Sequence, residues 1–174
     1  LKPADGARFV GVMAGDPDQL YLLASDSGYG FVARLGDLVT RNKAGKAVLS
    51  VPGGCGVIPP VAVRSLADDW IVAVTTEGYM LVIPLADLPQ MARGKGNKII
   101  NVPSAKLKVR EEYVAHMALI QDGEKLTVHA GKQHKTMKAD AVDEYAGERG
   151  RRGRKLARGY RKVDRLEVVV NTRE

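Results

Sequence analysis

Three stretches of this chain mix glycine with Lys and Arg: Arg41-Asn42-Lys43-Ala44-Gly45-Lys46, Arg93-Gly94-Lys95-Gly96-Asn97-Lys98 and Arg149-Gly150-Arg151-Arg152-Gly153-Arg154-Lys155. Glycine removes the side chain that keeps a backbone away from a phosphate chain, and the long cations neutralise that chain. The chemistry on offer is capture of a polyanion. One such run alone is ordinarily a solvated surface; recurrence at one point of a repeat makes phosphate binding the better reading. The third run extends through Arg158, Arg161 and Lys162, giving eight cations between residues 149 and 162 with no acid among them.

The charge distribution agrees. The chain of 174 residues carries a formal charge of +7, yet residues 1–90 hold 7 Lys and Arg against 9 Asp and Glu, while residues 91–174 hold 20 against 11. The basic character belongs to the C-terminal half and points to nucleic acid or another polyanion. Bond-breaking chemistry has less to stand on. Cys55, the one cysteine, has no neighbouring base, so a packed thiol in a reducing compartment fits better than a nucleophile, and no internal disulfide is possible. His129 and His134 are five residues apart, an odd spacing that sends side chains on one strand to opposite faces, and no ligand spacing ties them to Cys55 or His116. No metal or other cofactor is expected. Gly94-Lys95-Gly96-Asn97-Lys98 lacks the GxxxxGK[ST] pattern, and Gly147, Gly150 and Gly153 do not lie between a strand and a helix, so neither is a nucleotide cradle.

The elements that carry these loops repeat. Ser25-Asp26-Ser27-Gly28-Tyr29 to Leu35-Gly36-Asp37-Leu38 matches Thr75-Thr76-Glu77-Gly78-Tyr79 to Leu85-Ala86-Asp87-Leu88 without a gap, fifty residues on. Periods of that length mean stacked or radial repeats. Apolar runs at 19–24 and 29–33, and at 70–75 and 79–83, flank the two Gly-Tyr turns and predict hairpins. Residues 46–51 and 98–102 are expected as third strands, each entered through a basic loop. A more divergent copy pairs strands 114–120 and 125–130 about Gln121-Asp122-Gly123, places Asp140 where Asp37 and Asp87 stood, and ends on a strand over 163–170. Helix is confined to short turns at 36–39 and 140–145. The expected fold class is all-β: an open, propeller-like fan of about three to four small antiparallel blades in a single domain over 1–174, with units near 9–56, 57–112 and 113–170. Trp70, opening an apolar strand, is read as core, and Tyr29 and Tyr79 as packing against the neighbouring blade. No apolar run approaches the ~18 residues of a membrane span, and no signal peptide heads the chain, so the cytoplasm is expected. Leu1 at the start, in place of Met, reads as an excised part of a larger protein.

Residues 93–100, 147–153, 24–32 and 41–47 resemble the basic, glycine-bearing segments of the C-terminal domain of bacterial gyrase and topoisomerase IV A subunits, the topoisomerase IV version most closely, in a likeness running from about Phe9 to Val168. The resemblance implies a β-pinwheel whose blades exchange strands and whose rim binds and bends double-stranded DNA, presenting a segment to a cleavage core during decatenation and supercoil relaxation. It implies as partners the ATPase subunit as well as the rest of the A subunit, in the bacterial nucleoid. The family's catalytic tyrosine lies outside this chain, so the fragment itself is expected to be noncatalytic. Candidate DNA-binding residues are Arg41, Lys43, Lys46, Arg93, Lys95, Lys98, Arg149, Arg151, Arg152, Arg154, Lys155 and Arg158. The box at Arg93-Gly94-Lys95-Gly96 is short in cations against the gyrase box, which favours bending over tight wrapping. The competing expectation is a propeller-like protein-interaction module with a basic rim.

Overall fold

The computed structural model describes residues 3–171. Numbered along the chain, its strands form three antiparallel sheets. The first has the order β3 (Val57–Ala62), β1 (Leu20–Ser25), β2 (Tyr29–Arg34), β6 (Asn97–Lys98). The second has β10 (Arg154–Lys155), β5 (Tyr79–Pro84), β4 (Asp69–Thr75), β7 (Val114–Gln121), and the third β11 (Arg165–Val169), β8 (Lys125–Ala130), β9 (Gln133–Met137). The two hairpins about the Gly-Tyr turns form as expected, with Gly28 and Gly78 at φ of 91° and 85°. Pro84 closes β5, where a missing N–H costs no ladder bond.

The pairing of the remaining strands departs from the expectation in an instructive way. Each complete sheet takes one edge from the opening of the following repeat and its other edge from that repeat's basic loop. Residues 46–51 form no strand: no hairpin precedes β1 among the described residues to receive them, and only isolated bridging of Leu49 to Gly94 remains. Of 98–102 only Lys98 is in a strand, joined with Asn97 to β2 of the previous unit. The expected hairpin of 114–120 with 125–130 does not exist. β7 pairs along β4 instead, and β8 turns at Gly131 into β9, which sequence analysis missed because Gln133-His134-Lys135-Thr136 is polar throughout. β3, with Pro59 and Pro60, and the short helix α1 (Ser104–Lys108) were also missed. The last strand is 165–169, shorter than expected, with Leu166 and Val168 half-buried and Val170 exposed beyond it. Turns follow the hairpins at Leu35–Leu38, Leu85–Asp87 and, as α2, Ala139–Asp143; Asp37 and Asp87 hold one structural position, third in their turns, whereas Asp140 comes second in α2, one place earlier than expected.

Packing between sheets explains the apolar runs. Leu22, Ala24 and Val32 of the first sheet meet Ile71, Ala73, Leu81 and Ile83 of the second. The opposite face of the second, Val72, Val74, Met80 and Val82, meets Leu126 and Val128 of the third. Central strands of the second sheet are thus buried on both faces, so their middles, residues 71–74 and 80–83, are apolar at every position, each large side chain contributing about 1.5–3 kcal/mol. The third sheet has one covered face, and Lys125, Thr127 and His129 alternate with Leu126, Val128 and Ala130 accordingly. No core joins the third sheet back to the first among the described residues, so the fan is open. Among the described residues no helix is long and apolar enough to cross a membrane.

Candidate nucleic-acid interface

The second and third basic loops are built alike. Each first touches the middle of the preceding hairpin's second strand, at Val32 for residues 89–91 and at Val82 for residues 145–147, then arches away and returns as a two-residue strand. The return fixes Lys98 opposite Tyr29 and Lys155 opposite Tyr79. Ile99 N–H donates to Gly28 O at 2.7 Å and Leu156 N–H to Gly78 O at 2.8 Å, burying the apolar residue that ends each loop.

Glycine is obligatory at the tightest point of the return. Gly96 and Gly153 sit at φ of 77° and 79°, and a Cβ would run into the carbonyl oxygens of Gly30 and Met80 respectively. Gly153→Ala is expected to cost at least about 1–2 kcal/mol from the left-handed backbone alone, and more from the displaced strand. Urea denaturation checks this; an unchanged midpoint would show that the loop is not held as described.

Tyrosine forms the floor under the cations. Lys95 Nζ lies 3.9 Å and Lys98 Nζ 5.8 Å from the Tyr29 ring centre, while Arg152 lies 3.8 Å and Lys155 5.2 Å from that of Tyr79. Each tyrosine packs against the loop of the following blade, and each cation is held near a ring face at about 0.5–1 kcal/mol or more.

The three basic segments follow one another along one edge. Gly94 N–H donates to Val48 O and Ser50 N–H to Gly94 O, both at 2.8 Å, linking the first loop's exit to the second. Gly150 N–H donates to Ile99 O at 2.8 Å, Asn101 N–H to Arg151 O at 2.9 Å, and Arg149 Nη1 to Lys98 O at 2.8 Å, linking the second to the third. Arg93, Lys95, Arg151, Lys155 and Arg158 are exposed along this ridge. Arg154 is exposed too, opposite Met80, and leaves its strand on the face away from Lys155. Arg41, Lys43 and Lys46 are exposed on the first loop, where Lys46 Nζ donates to Asp37 O at 2.7 Å. Lys98 is half-buried, its Nζ 3.3 Å from Asn101 Oδ1.

Arg152 belongs to another set. Its Nη1 lies 2.7 Å from Oε1 of Glu112, a carboxylate with a fully buried side chain that also accepts from Thr75 Oγ1 at 2.8 Å. That Oε1 has no directed hydrogen bond, so charge holds the pair. Glu77, 3.7 Å from Arg152, is paired with Lys106 at 2.7 Å, which holds the Glu77 carboxyl below its usual range. A parallel clamp joins Arg110 to Asp26 at 2.6 Å, with Arg110 over Tyr113 and at φ 60°. Sequence analysis singled out neither clamp. The acids sit in mixed-charge stretches, and only burial separates Glu112 from its exposed neighbour Glu111.

The other candidates resolve simply. Cys55 is half-buried beside Asp26 and Arg110, and burial followed by the Asp26 charge raises its thiol pKa, which disfavours the thiolate. His129 and His134 prove to be cross-strand partners on one face, ring centres 5.9 Å apart, because Gly131 turns the chain between them. His129 Nε2 pairs with Glu167 at 2.8 Å, and no group of three metal-ligating side chains exists among the described residues. Trp70 is half-buried, at the edge of the core rather than within it.

Known proteins share this architecture. A family model described as the DNA gyrase C-terminal domain, beta-propeller, matches residues 19–56 and 69–121. The chain is 49% identical over 170 residues to the A subunit of DNA topoisomerase 4 from Pseudomonas aeruginosa, covering 98% of this chain and 22% of that one. Against the same-named subunit from Escherichia coli K12 it is 43% identical over 163 residues, covering 94% and 21%. It thus spans about a fifth of the length of these relatives. The solved E. coli ParC C-terminal domain matches with a TM-score of 0.83 at 43% identity, over 90% of this chain and 63% of that one. A DNA gyrase A C-terminal domain shares the fold, with a TM-score of 0.73 at 16% identity over 98% of this chain and 56% of that one. Repeat, strand exchange and basic glycine loops are accounted for together: the chain belongs to the DNA gyrase C-terminal domain family of β-propellers.

Proposed function

We propose that this domain binds and bends double-stranded DNA along its basic ridge, presenting a segment to the cleavage core of a topoisomerase IV-type enzyme and biasing it toward decatenation and supercoil relaxation. The domain itself is noncatalytic. Its partners are DNA, the ATPase subunit, and the remainder of the A subunit, in the cytoplasm at the nucleoid. One observation carries the reading: the second and third basic loops, each seated on the tyrosine of the preceding hairpin, are chained with each other and with the first by backbone hydrogen bonds into a continuous cationic edge. Such an edge meets phosphates and carries no element suited to reading bases, so little sequence preference is expected.

Bending sets a length dependence. Curving 20–30 bp through 40–90° costs on the order of 1–6 kcal/mol, which only contacts at more than one loop repay. A ~60 bp duplex should therefore bind more tightly than a ~20 bp one, with its ends brought closer by fluorescence energy transfer. Equal affinities and unchanged end separation would refute bending.

A further inference from the structure

The wedges between successive sheets differ at the end remote from the Gly-Tyr turns. Between the first and second sheets the wedge is filled by Leu20, Leu66, Leu85 and Leu88. Between the second and third, the turn into β8 is shorter: Gln121-Asp122-Gly123-Glu124 replaces Arg64 to Asp69, with Glu124 accepting the Gln121 N–H as Asp69 accepts that of Arg64. No counterpart of Leu66 remains, and Ala139 opens α2 where Leu85 opens the turn after β5. A cleft of about 330 Å³ results, floored by Trp70, Val82, Ile120 and Val142 and rimmed by Asp122 and Asp143. Both aspartates are exposed. Trp70 pairs with Pro84 and Val74 with Met80, so the cleft and the basic ridge lie at opposite ends of β4 and β5.

We propose that this cleft is a docking socket for a protein segment that inserts a bulky aliphatic or aromatic side chain beside Lys or Arg. An apolar floor of this size holds one such side chain, and a rim of two acids in the basic half of the chain selects cationic flanks. Placement away from the ridge lets DNA and the segment be held together, and the inference does not depend on the DNA reading.

Trp70, the only tryptophan, is a built-in reporter. The whole chain is titrated with a blocked heptapeptide alternating Arg and Leu, and with versions carrying Glu for Arg or Ser for Leu, while Trp70 emission is followed. The expected result is a saturable, one-to-one response to the Arg-Leu peptide, weakened at least tenfold for each altered peptide. Ala139→Leu, which restores the filling residue of the other wedge, should abolish it with an unchanged thermal midpoint. Asp122→Asn with Asp143→Asn should weaken it several-fold without reshaping the floor. No saturable response, an equal response to the Glu peptide, an equal response to the Ser peptide (attraction to surface acid alone), or undiminished binding by Ala139→Leu would each overturn the proposal.

Discussion

Arg152→Ala is expected to cost about 3–5 kcal/mol of folding free energy, the range for removing one partner of a buried ion pair. Its partner, Glu112, has no side-chain exposure and keeps only the Thr75 hydroxyl once the guanidinium is gone. Against a typical total of about 5–15 kcal/mol, that loss brings the domain near unfolding. The comparison with Arg151 is the control. Arg151 pairs with Glu148 at 3.0 Å, but both side chains are about three-quarters exposed, and such pairs contribute about 0–1 kcal/mol. Urea denaturation of Arg152→Ala, Arg151→Ala and the double variant Glu112→Met with Arg152→Met decides the matter. The first should unfold at much lower urea, the second should match the parent, and the third should recover most of the loss, because apolar replacement of both partners leaves no buried charge. Equal midpoints for Arg152→Ala and Arg151→Ala would show that the clamp is not formed.

Neutralising Arg93, Lys95, Arg151 and Lys155 together is expected to weaken duplex binding steeply while leaving the fold in place. All four are exposed, and none is paired with a buried acid in the manner of Arg152. If about six cations of the parent meet phosphates, log affinity falls with log salt at a slope of roughly −5, and removing four takes about 3.6 from its magnitude. The affinity deficit should be largest at low salt and shrink as salt rises. Circular dichroism separates this from unfolding, which is why Arg152 is left untouched. Full affinity in the quadruple variant would favour a basic rim that serves an acidic protein.

The hairpins were legible because their determinants are local: a glycine that takes positive φ, the tyrosine after it, and apolar runs on either side. Strand partners outside the hairpins were not, because they are set across blades. Asn97-Lys98 and Arg154-Lys155 become strands only when a preceding hairpin supplies an edge, and the homologous 46–51 stays irregular where none does. β9 escaped notice because an end blade with one wet face needs little apolar side chain there. The site divides the same way. Which loops are basic was plain from composition, and their succession along one edge follows from the repeat. That Arg152 is held in the fold while Arg151 stands exposed in a surface pair cannot be read from two adjacent arginines; it depends on Glu112, forty residues earlier, being buried.

The most direct test is the affinity of the chain for a ~60 bp duplex measured from about 50 to 200 mM salt, beside that of the quadruple variant. The account predicts a loss of about 10³ across that range for the parent and a much shallower dependence for the variant. Weak, salt-insensitive binding by the parent, or identical slopes for the two proteins, would contradict the claim that this ridge holds the DNA backbone.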